Sequence, residues 1–288
     1  MNNNSSFTKP LISKQKLPLL ITSMNDPTPS EIISTMRNAI YDGTEAFSLH
    51  LEMMKQEHIN EEDLTRIFNY AGDKPIYTMN YRIAERGKTD EQLTEEQLMG
   101  VRAGSSMIDF MGDMFDRTPR ELTQNSSAIE RQREVIEEVH SMGAEVMMSS
   151  HIFDYLTMEE TLEHAQALEA RGGDIVKIAS AVRSEEEMIE ALRTTVLVKN
   201  KLNVPFLHVC MGQWGKILRA VSPMFGSCFA ICGQTYKPGA HMEQPLLRAQ
   251  RAVLDNVDWM HGRDPARGTI GGGNQGYLPL RLTSAHSG

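Results

Sequence analysis

The sequence predicts one α/β domain of the (β/α)8 TIM-barrel class, in which eight parallel strands each lead into a helix. The chain has 288 residues, of which 40% are hydrophobic, and a single barrel has about this length and a core of this size. Short apolar runs alternate with charged amphipathic segments, which is the pattern of repeated βα units around a parallel sheet. Helix-start signals recur between these runs.

Eight apolar or β-branched runs are the predicted strands, and the spans between them are long enough for one crossover helix each. The runs are Pro18–Met24, Glu45–Leu51, Pro75–Asn80, Ser106–Met111, Glu145–Ile152, Asp174–Ala179, Pro205–Met211 and Cys228–Cys232. Eight evenly repeated units favour closure into a barrel. We expect the barrel over residues 18–267, after a polar arm at 1–17 and before a flexible Gly-rich tail at 268–288.

Capping boxes mark the predicted helix starts, because a Ser or Thr followed three residues later by Glu or Gln satisfies free backbone N–H groups there. The pairs are Thr28 with Glu31, Thr94 with Gln97, Ser127 with Glu130, Thr157 with Glu160 and, as a weaker case, Ser184 with Glu187. Each pair follows a predicted strand, which supports the βα order.

The charge and the cysteine count exclude several classes of function. A formal net charge of −9 and a pI near 5.5 argue against nucleic-acid binding, which needs clustered Lys and Arg. No stretch approaches the roughly 18 apolar residues of a membrane span, so no membrane association is expected. Three cysteines in apolar runs are typical of a reducing compartment, which predicts a cytoplasmic protein. Neither HExxH nor a paired CxxC occurs, and we expect no metal and no cofactor.

Lys177 stands inside the otherwise apolar sixth strand, GGDIVKIAS. Removing a lysine from water favours its neutral amine, which attacks a carbonyl carbon to give an imine. From this strand alone, a lysine that reaches out of the strand end or belongs to a structural ion pair is an equal alternative. His151 closes the neighbouring fifth strand, at the barrel end where active sites lie, and is placed to abstract a proton next to an iminium carbon. Together the two residues favour the catalytic interpretation.

Polar residues at other strand ends are candidates for binding the substrate. Arg219, which we place at the start of the seventh helix, and Arg82, just beyond the third strand, suit a carboxylate. The alternative for both is a solvated surface arginine. Ser48, His50 and Glu52 alternate on one face of the second strand, which we take to be the barrel interior, so a polar cluster there favours a site over a core.

These segments together resemble type I 3-dehydroquinate dehydratase over about Pro18 to Leu254. The family's His-bearing fifth strand is met at His151. Its GADIxKIA strand, SMGxxGxxSR segment and FGS motif are met, in this order, at Gly173–Ala179, Met211–Arg219 and Phe225–Ser227. Met107–Asp109 and the pair Pro238–Gly239 in a lid-like loop match as well. Several ordered matches are hard to obtain by chance.

The resemblance implies roles for the site residues. Lys177 would form a Schiff base with a substrate ketone, and His151 would remove the α-proton and then protonate the departing β-hydroxyl. Arg219 would hold a carboxylate of the substrate. The resemblance also implies a small-molecule keto acid as the substrate and a homodimer as the assembly.

Two segments depart from the family where it recognises the substrate. The family carries an ExRxD pattern on the second strand, where Ser48, His50 and Glu52 stand here. The lid-like loop of the family carries Ser and Gln around its Pro-Gly pair, whereas this chain has Tyr236 and Ala240. Tyr236 is therefore a further candidate for substrate binding. These changes predict a substrate with a different pattern of ring substituents.

A third departure concerns the residue that orients the catalytic histidine. In ungapped register from Arg82, the Glu that serves this purpose in the family falls on Arg86, with Glu85 one residue away. Glu85 and Arg86 are therefore the candidate neighbours of His151.

The predicted function is that of a Schiff-base-forming dehydratase, which removes water from 3-dehydroquinate or from a related carboxylated cyclic β-hydroxy ketone, with a lean to the related substrate. Two alternatives stay open. A class I Schiff-base aldolase shares the barrel and the lysine but breaks a C–C bond and releases a retro-aldol product. A catalytically inactive barrel that binds a metabolite shares only the fold, and trapping with borohydride separates it from both enzymes.

Overall fold

The computed structural model describes residues 10–237 and 241–257, and within them eight strands alternate with eight α-helices. The strands are β1 Leu19–Met24, β2 Ala46–His50, β3 Ile76–Met79, β4 Met107–Met111, β5 Glu145–His151, β6 Ile175–Ala181, β7 Phe206–Met211 and β8 Phe229–Cys232. The helices are α1 Pro29–Tyr41, α2 Glu61–Tyr70, α3 Asp90–Ala103, α4 Ser126–Ser141, α5 Met158–Glu169, α6 Glu185–Lys199, α7 Gln213–Phe225 and α8 Leu247–Val257. Short 3₁₀ turns occupy Leu51–Met53, Gln56–His58 and Ala84–Arg86. All eight predicted strands are present.

The strands form one parallel sheet in the order β7-β6-β5-β4-β3-β2-β1-β8. A single bridge between Phe206 and Ser227 joins the two ends of this order, and the N–H of Cys228 donates to the carbonyl of Phe206 at 2.9 Å. The helices pack around the outside of the sheet. The TIM-barrel prediction is confirmed.

Alternate residues of each strand point into the barrel or outward to the helices, as the strand period of two requires. Inward residues such as Ile21, Tyr77, Met147 and Phe229 fill the interior below the strand ends. Outward residues pack against the helices in three further clusters. Residues near the C-terminal ends with the inward parity therefore face one shared space at the top of the barrel. None of the helices that the structure describes is long and apolar enough to span a membrane.

The N-terminal end of the barrel is closed by part of the segment predicted as a polar arm. Ile12 is fully buried among the interior side chains. Its backbone N–H donates to Glu145 Oε2 at 2.6 Å, and the N–H of Ser13 donates to both oxygens of the same carboxylate at 3.2 Å. Residues 10–17 thus close the bottom of the barrel and leave its top open. The tail predicted at 268–288 and residues 1–9 of the arm lie outside the described residues.

Three of the predicted helix caps are confirmed and two are displaced. Thr28, Thr157 and Ser184 each accept a hydrogen bond from the backbone N–H three residues later. The first turn of α3 is capped by Thr89 with Gln92 rather than by Thr94, and α4 is capped by Asn125 rather than by Ser127. The sequence up to Gln97 contains two successive boxes, TDEQ at 89–92 and TEEQ at 94–97, and the helix begins at the earlier one because the residues of both are compatible with a helix.

Two buried histidines on the outer face of the barrel make the fold sensitive to acid. His208 on β7 bonds through Nδ1 to Thr195 Oγ1 at 2.9 Å, and His164 on α5 bonds through Nε2 to Ser150 Oγ at 2.8 Å. Burial lowers the pKa of each imidazole to about 4. The unfolded chain therefore takes up a proton at each position between about pH 6.5 and pH 4, while the folded chain does not.

We expect the free energy of unfolding to be fully retained above about pH 6.5 and to fall as the pH drops towards 4, by roughly 1.4 kcal/mol per pH unit for each histidine. Urea unfolding of the wild type and of His208→Gln between pH 6.5 and 5 measures this dependence. The variant should have a slope smaller by about one proton, whatever its stability at pH 7. Equal slopes would show that His208 is not held neutral in the fold.

Candidate active site

A cavity of about 890 Å³ opens at the C-terminal ends of the strands. One part of its wall is polar and includes Lys177, His151, Tyr81, Arg219, Glu121, His50 and Glu52. Another part is apolar and includes Met53, Met79, Met111, Met211 and Phe153. A cavity with a few converging polar groups on an apolar wall, at this end of a barrel, is the usual place for a substrate.

Lys177 points into the barrel from β6 and is 5% exposed. Its Nζ donates to Asp109 Oδ2 on β4 at 2.7 Å and also hydrogen-bonds the hydroxyl of Tyr81. The sequence predicted an amine in an apolar setting, but the structure shows an amine paired with a carboxylate. A carboxylate at this distance is a counter-charge for an ammonium, and a lysine in such a setting can act as a nucleophile only once it has released a proton.

Asp109 is 1% exposed and lies in the middle of the apolar strand β4. Burial by itself raises the pKa of this carboxyl, but the charges of Lys177 and His151 outweigh the effect and lower the pKa below its usual value. Asp109 is therefore ionised at neutral pH and compensates the charge of the lysine.

The hydroxyl of Tyr81, two residues past the end of β3, lies against both members of this ion pair. It donates to Asp109 Oδ2 at 2.6 Å and accepts from Lys177. Burial, and after it the charge of Asp109, raise the pKa of the phenol well above its ordinary value, so the hydroxyl keeps its proton at neutral pH. The ring stands edge-on to His151 with 4.5 Å between ring centroids. Tyr81 was not predicted as a site residue.

His151 ends β5 and is held by Glu121 from the loop between β4 and α4. Glu121 Oε2 lies 2.9 Å from Nδ1 of the imidazole and accepts from the backbone N–H of His151 at 2.8 Å. A carboxylate beside Nδ1 favours the tautomer that carries the proton there, which leaves Nε2 as an acceptor. The backbone of Glu121 has φ = 47° in the left-handed region, and its carbonyl accepts from Ser150 Oγ at 2.7 Å. The loop is thus fixed by contacts to β5.

Neither of the sequence candidates for the partner of His151 lies in that position. Glu85 is exposed in the 3₁₀ turn after β3. The guanidinium of Arg86 donates to the carbonyl of Met54 instead. The prediction was wrong because it looked for the carboxylate in the segment after β3, at a fixed number of residues from Arg82. The carboxylate comes instead from Glu121, in the loop after β4.

Arg219 lies in the second turn of α7, not at the helix start as predicted. Its Nε donates to the carbonyl of Cys210 at 2.8 Å, and burial lowers the pKa of its guanidinium. It forms no ion pair with the residues that the structure describes, although it lines the cavity. The helix comes close enough because Gly215 of α7 packs directly against β7, where an added Cβ would meet the carbonyl oxygen of Cys210 at 2.4 Å. Arg219 therefore offers its remaining donors to an anion in the cavity.

Arg82 borders the cavity, but its donors are taken up within the protein. Nε and one terminal nitrogen donate to Asp90 at 2.8 and 2.7 Å, and the other terminal nitrogen donates to the buried Asp113 at 2.6 Å. Asp90 in turn accepts from the backbone N–H of Phe115 at 2.6 Å. Arg82 was predicted to bind a carboxylate of the substrate. In the structure its hydrogen bonds instead link α3 to the loop that carries Glu121.

On β2, two of the three predicted residues reach the cavity. His50 lies 2.6 Å from Glu52 Oε1 through Nδ1 and 3.0 Å from Ser23 Oγ through Nε2, and both His50 and Glu52 line the wall. Ser48 is fully buried one layer deeper, beside Tyr77 in the strand register, and does not line the cavity. The sequence correctly predicted that Ser48 faces the barrel interior, but not that it lies below the cavity.

Tyr236 lies outside the cavity wall. Its hydroxyl bonds to Nζ of Lys216 at 2.6 Å and to the carbonyl of Gln244 at 3.1 Å. The loop residues Pro238, Gly239 and Ala240 lie outside the described residues. The same loop does bring His241, Glu243 and Gln244 to the cavity, and the ring centroid of His241 is 6.3 Å from that of His50.

A sequence profile described as type I 3-dehydroquinase matches residues 21–252. Among curated relatives, a 3-dehydroquinate dehydratase of Alkaliphilus oremlandii is 33% identical over 58% of this chain and 64% of its own length. One of Lactiplantibacillus plantarum is 29% identical over 37% of this chain and 44% of its own length. The matched part of the chain thus spans about half to two thirds of these relatives.

Solved structures of 3-dehydroquinate dehydratases have the same fold as this chain. The 3-dehydroquinate dehydratase of Geobacillus kaustophilus superposes with a TM-score of 0.70 at 18% identity, covering 83% of this chain and 91% of its own. The type I enzyme of Clostridium difficile gives 0.70 at 17% identity, covering 84% and 92%. Since the profile match extends over most of the chain, from β1 to α8, this protein belongs to the type I 3-dehydroquinase family.

Proposed function

We propose that the protein is a hydro-lyase that binds a carboxylated β-hydroxy ketone as an imine on Lys177 and eliminates water from it. The observation that carries the proposal is the buried Lys177, which faces the same cavity as the His151–Glu121 pair. The curated relatives are named 3-dehydroquinate dehydratase, which supports 3-dehydroquinate or a close analogue as the substrate.

The reaction follows from the electronic effect of the imine. Lys177 attacks the ketone, and loss of water gives an iminium, which withdraws electrons more strongly than the ketone did and so acidifies the adjacent C–H. His151 accepts that proton, and the enamine expels the β-hydroxyl, which His151 protonates. Asp109 faces a positive nitrogen in the ammonium and in the iminium, so the ion pair is present before and after imine formation, whereas the enamine nitrogen between the two proton transfers of His151 is neutral.

Glu121 orients the imidazole for both proton transfers. Its carboxylate keeps the proton on Nδ1 and stabilises the imidazolium that forms when Nε2 takes the α-proton. In this chain the orienting carboxylate comes from the loop between β4 and α4 rather than from the position after β3. The Arg82 contacts to Asp90 and Asp113 hold this loop in place.

Arg219 binds the carboxylate of the substrate. It is a half-buried cation with no counter-charge in ion-pair contact among the described residues, and a carboxylate ligand supplies one. Without a ligand, desolvation of the guanidinium is opposed only by more distant groups such as Glu243. The site therefore selects for anionic ketones.

The substrate carries hydroxyl groups at positions different from those of 3-dehydroquinate, or the protein binds those hydroxyl groups differently. The polar wall at the end of β2 is formed by His50 and Glu52, which hydrogen-bond each other, and the rest of that side is lined by methionines such as Met53 and Met79. Such a wall has few donors for ring hydroxyls, and each buried hydroxyl without a partner costs on the order of 1–3 kcal/mol. We therefore favour a keto acid with fewer or differently placed hydroxyls over 3-dehydroquinate itself.

The family membership supports the dehydratase over the two alternatives from the sequence. A class I aldolase would share Lys177, and an inactive barrel would share the fold, but the curated relatives that match this chain are named as dehydratases. A screen of keto acids for an enone product and for a retro-aldol product separates all three.

We also propose a cytoplasmic homodimer. The three cysteines, Cys210, Cys228 and Cys232, are buried free thiols, which fits a reducing compartment. The dimer rests on the resemblance to the family, and sedimentation of the purified protein measures it.

Lys177→Ala should abolish turnover, because no other group described in the cavity wall supplies a primary amine. The measurement is the absorbance of the conjugated enone product, with circular dichroism to check folding. Lys201→Met is the matched control, since Lys201 is exposed in the turn after α6, at the opposite end of the barrel. A Lys177→Ala protein that keeps a tenth of the wild-type rate would refute the imine mechanism.

Glu121→Gln should lower kcat by roughly tenfold or more, because an amide no longer stabilises the imidazolium of His151. Glu85→Gln is the matched control and should leave kcat unchanged, since Glu85 is exposed away from the imidazole. Steady-state rates of both variants decide between the two glutamates. If Glu85→Gln loses as much activity as Glu121→Gln, the assignment of Glu121 is wrong.

Arg219→Met should raise KM for an anionic keto acid by roughly tenfold to a hundredfold, as expected for the loss of a charged hydrogen-bonded pair. The neutral amide of the same keto acid should bind wild type and variant alike. Inhibition constants of acid and amide measure the difference. A similar loss for both ligands would contradict the carboxylate role.

A further inference from the structure

Tyr81 occupies a position between the amine and the open cavity. Its hydroxyl hydrogen-bonds both Lys177 Nζ and Asp109 Oδ2, and its side chain lines the cavity wall. Within the described part of the chain, Tyr81 and Asp109 are the side chains that hydrogen-bond this amine. Any carbonyl that approaches Nζ from the cavity therefore comes close to the phenol.

We propose that Tyr81 is a further catalytic residue, which relays protons from the Lys177 nitrogen to the carbonyl oxygen of the substrate while the imine forms. This inference rests on the proposed imine chemistry. It assigns the formation and hydrolysis of the imine to Tyr81 and leaves the α-proton and the β-hydroxyl to His151.

Imine formation needs two proton transfers from nitrogen to oxygen. The ammonium of Lys177 carries three protons, and the iminium that replaces it carries one. As the C–N bond forms, the π electrons of the carbonyl move to oxygen, which takes one proton. As the C–O bond then breaks, the nitrogen lone pair forms the C=N bond and the oxygen leaves as water with the second proton. The charge on nitrogen is the same before and after, so no external acid or base is consumed.

A neutral phenol suits both transfers, because it accepts a proton on its oxygen and gives its own proton away. Burial and the charge of Asp109 raise the pKa of Tyr81, so the group stays a phenol rather than a phenolate. Asp109 cannot take this role alone, since its pKa is lowered and it holds no proton to donate at neutral pH. In the unliganded site the phenol donates to Asp109, and it turns to the substrate oxygen when that oxygen arrives.

His151 lies beside Tyr81 in the cavity wall but does not hydrogen-bond the amine. Its Nδ1 is bound to Glu121, and its ring meets the Tyr81 ring edge-on with 4.5 Å between ring centroids. The two groups thus serve neighbouring atoms of the substrate. Tyr81 acts at the carbonyl oxygen, and His151 acts at the carbons next to it.

The test is the exchange of the ketone oxygen with ¹⁸O-water, followed by mass spectrometry, on whichever of 3-dehydroquinate and its analogues with fewer hydroxyls the wild-type protein turns over fastest. Reversible imine formation exchanges this oxygen, and a His151→Ala background prevents the substrate from being consumed. We expect His151→Ala to exchange well above the uncatalysed rate and His151→Ala/Tyr81→Phe to exchange roughly a hundredfold more slowly. The fraction that borohydride traps after long incubation should be equal in the two proteins, since a relay changes the rate and not the equilibrium.

Tyr77→Phe in the same background is the matched control. Tyr77 is the buried tyrosine of β3, four residues before Tyr81, and its ring stacks on Phe229 in the barrel interior with 6.1 Å between centroids, so the loss of its hydroxyl should leave the exchange rate unchanged. Equal exchange rates with and without the Tyr81 hydroxyl would overturn the relay and leave the imine mechanism intact. The absence of both exchange and trapping in His151→Ala would instead overturn the imine mechanism, and the relay with it.

Discussion

The buried ion pair between Lys177 and Asp109 is the interaction on which the site depends. An ammonium in the interior of a barrel loses its hydration, which costs several kcal/mol unless a carboxylate compensates it. Asp109 lies two strands away, is itself 1% exposed, and meets the nitrogen at 2.7 Å. Removal of either partner would leave an uncompensated charge in the core. The pair therefore connects β6 to β4 across the intervening strand β5 and fixes how deep the amine lies.

The same pair explains how a charged lysine can serve as a nucleophile. Because the nitrogen is positive both as an ammonium and as an iminium, the carboxylate stabilises the start and the end of imine formation alike. What remains is the movement of protons between atoms that already touch. In the proposed mechanism Tyr81, which hydrogen-bonds both members of the pair, moves the protons of imine formation. His151, held by Glu121 beside Tyr81, moves the proton on the neighbouring carbon.

The sequence alone was sufficient for the fold and for the centre of the site. Apolar runs of the right length and spacing predicted all eight strands, because buried parallel strands have to be nearly continuous in hydrophobic residues. Lys177 and His151 stood out as polar residues in such runs. Asp109 carries the same signal in the run MIDFM, and its inward parity could have identified it as the counter-charge of the lysine.

Contacts made by loop residues could not be predicted from apolar runs and strand periodicity. Glu121 reaches His151 from a loop that has no periodic pattern, and its position depends on the contacts of Arg82 with Asp90 and Asp113. Tyr236 likewise bonds to Lys216, a pairing that depends on how the loop after β8 packs against α7. Such partners are chosen by tertiary packing rather than by local sequence, so the sequence pattern did not reveal that Arg82 and Tyr236 bond to other residues of the protein, whereas it did predict that Lys177 and His151 face the same end of the barrel.

The account centres on one covalent bond, between Lys177 Nζ and the carbonyl carbon of the substrate. Tandem mass spectrometry of the wild-type protein, reduced with borohydride during turnover of a carboxylated β-hydroxy ketone and then digested, locates that bond directly. The account predicts a single substrate-derived mass increase on the peptide that contains Lys177. An adduct on a different lysine, or steady turnover without any adduct, would contradict it.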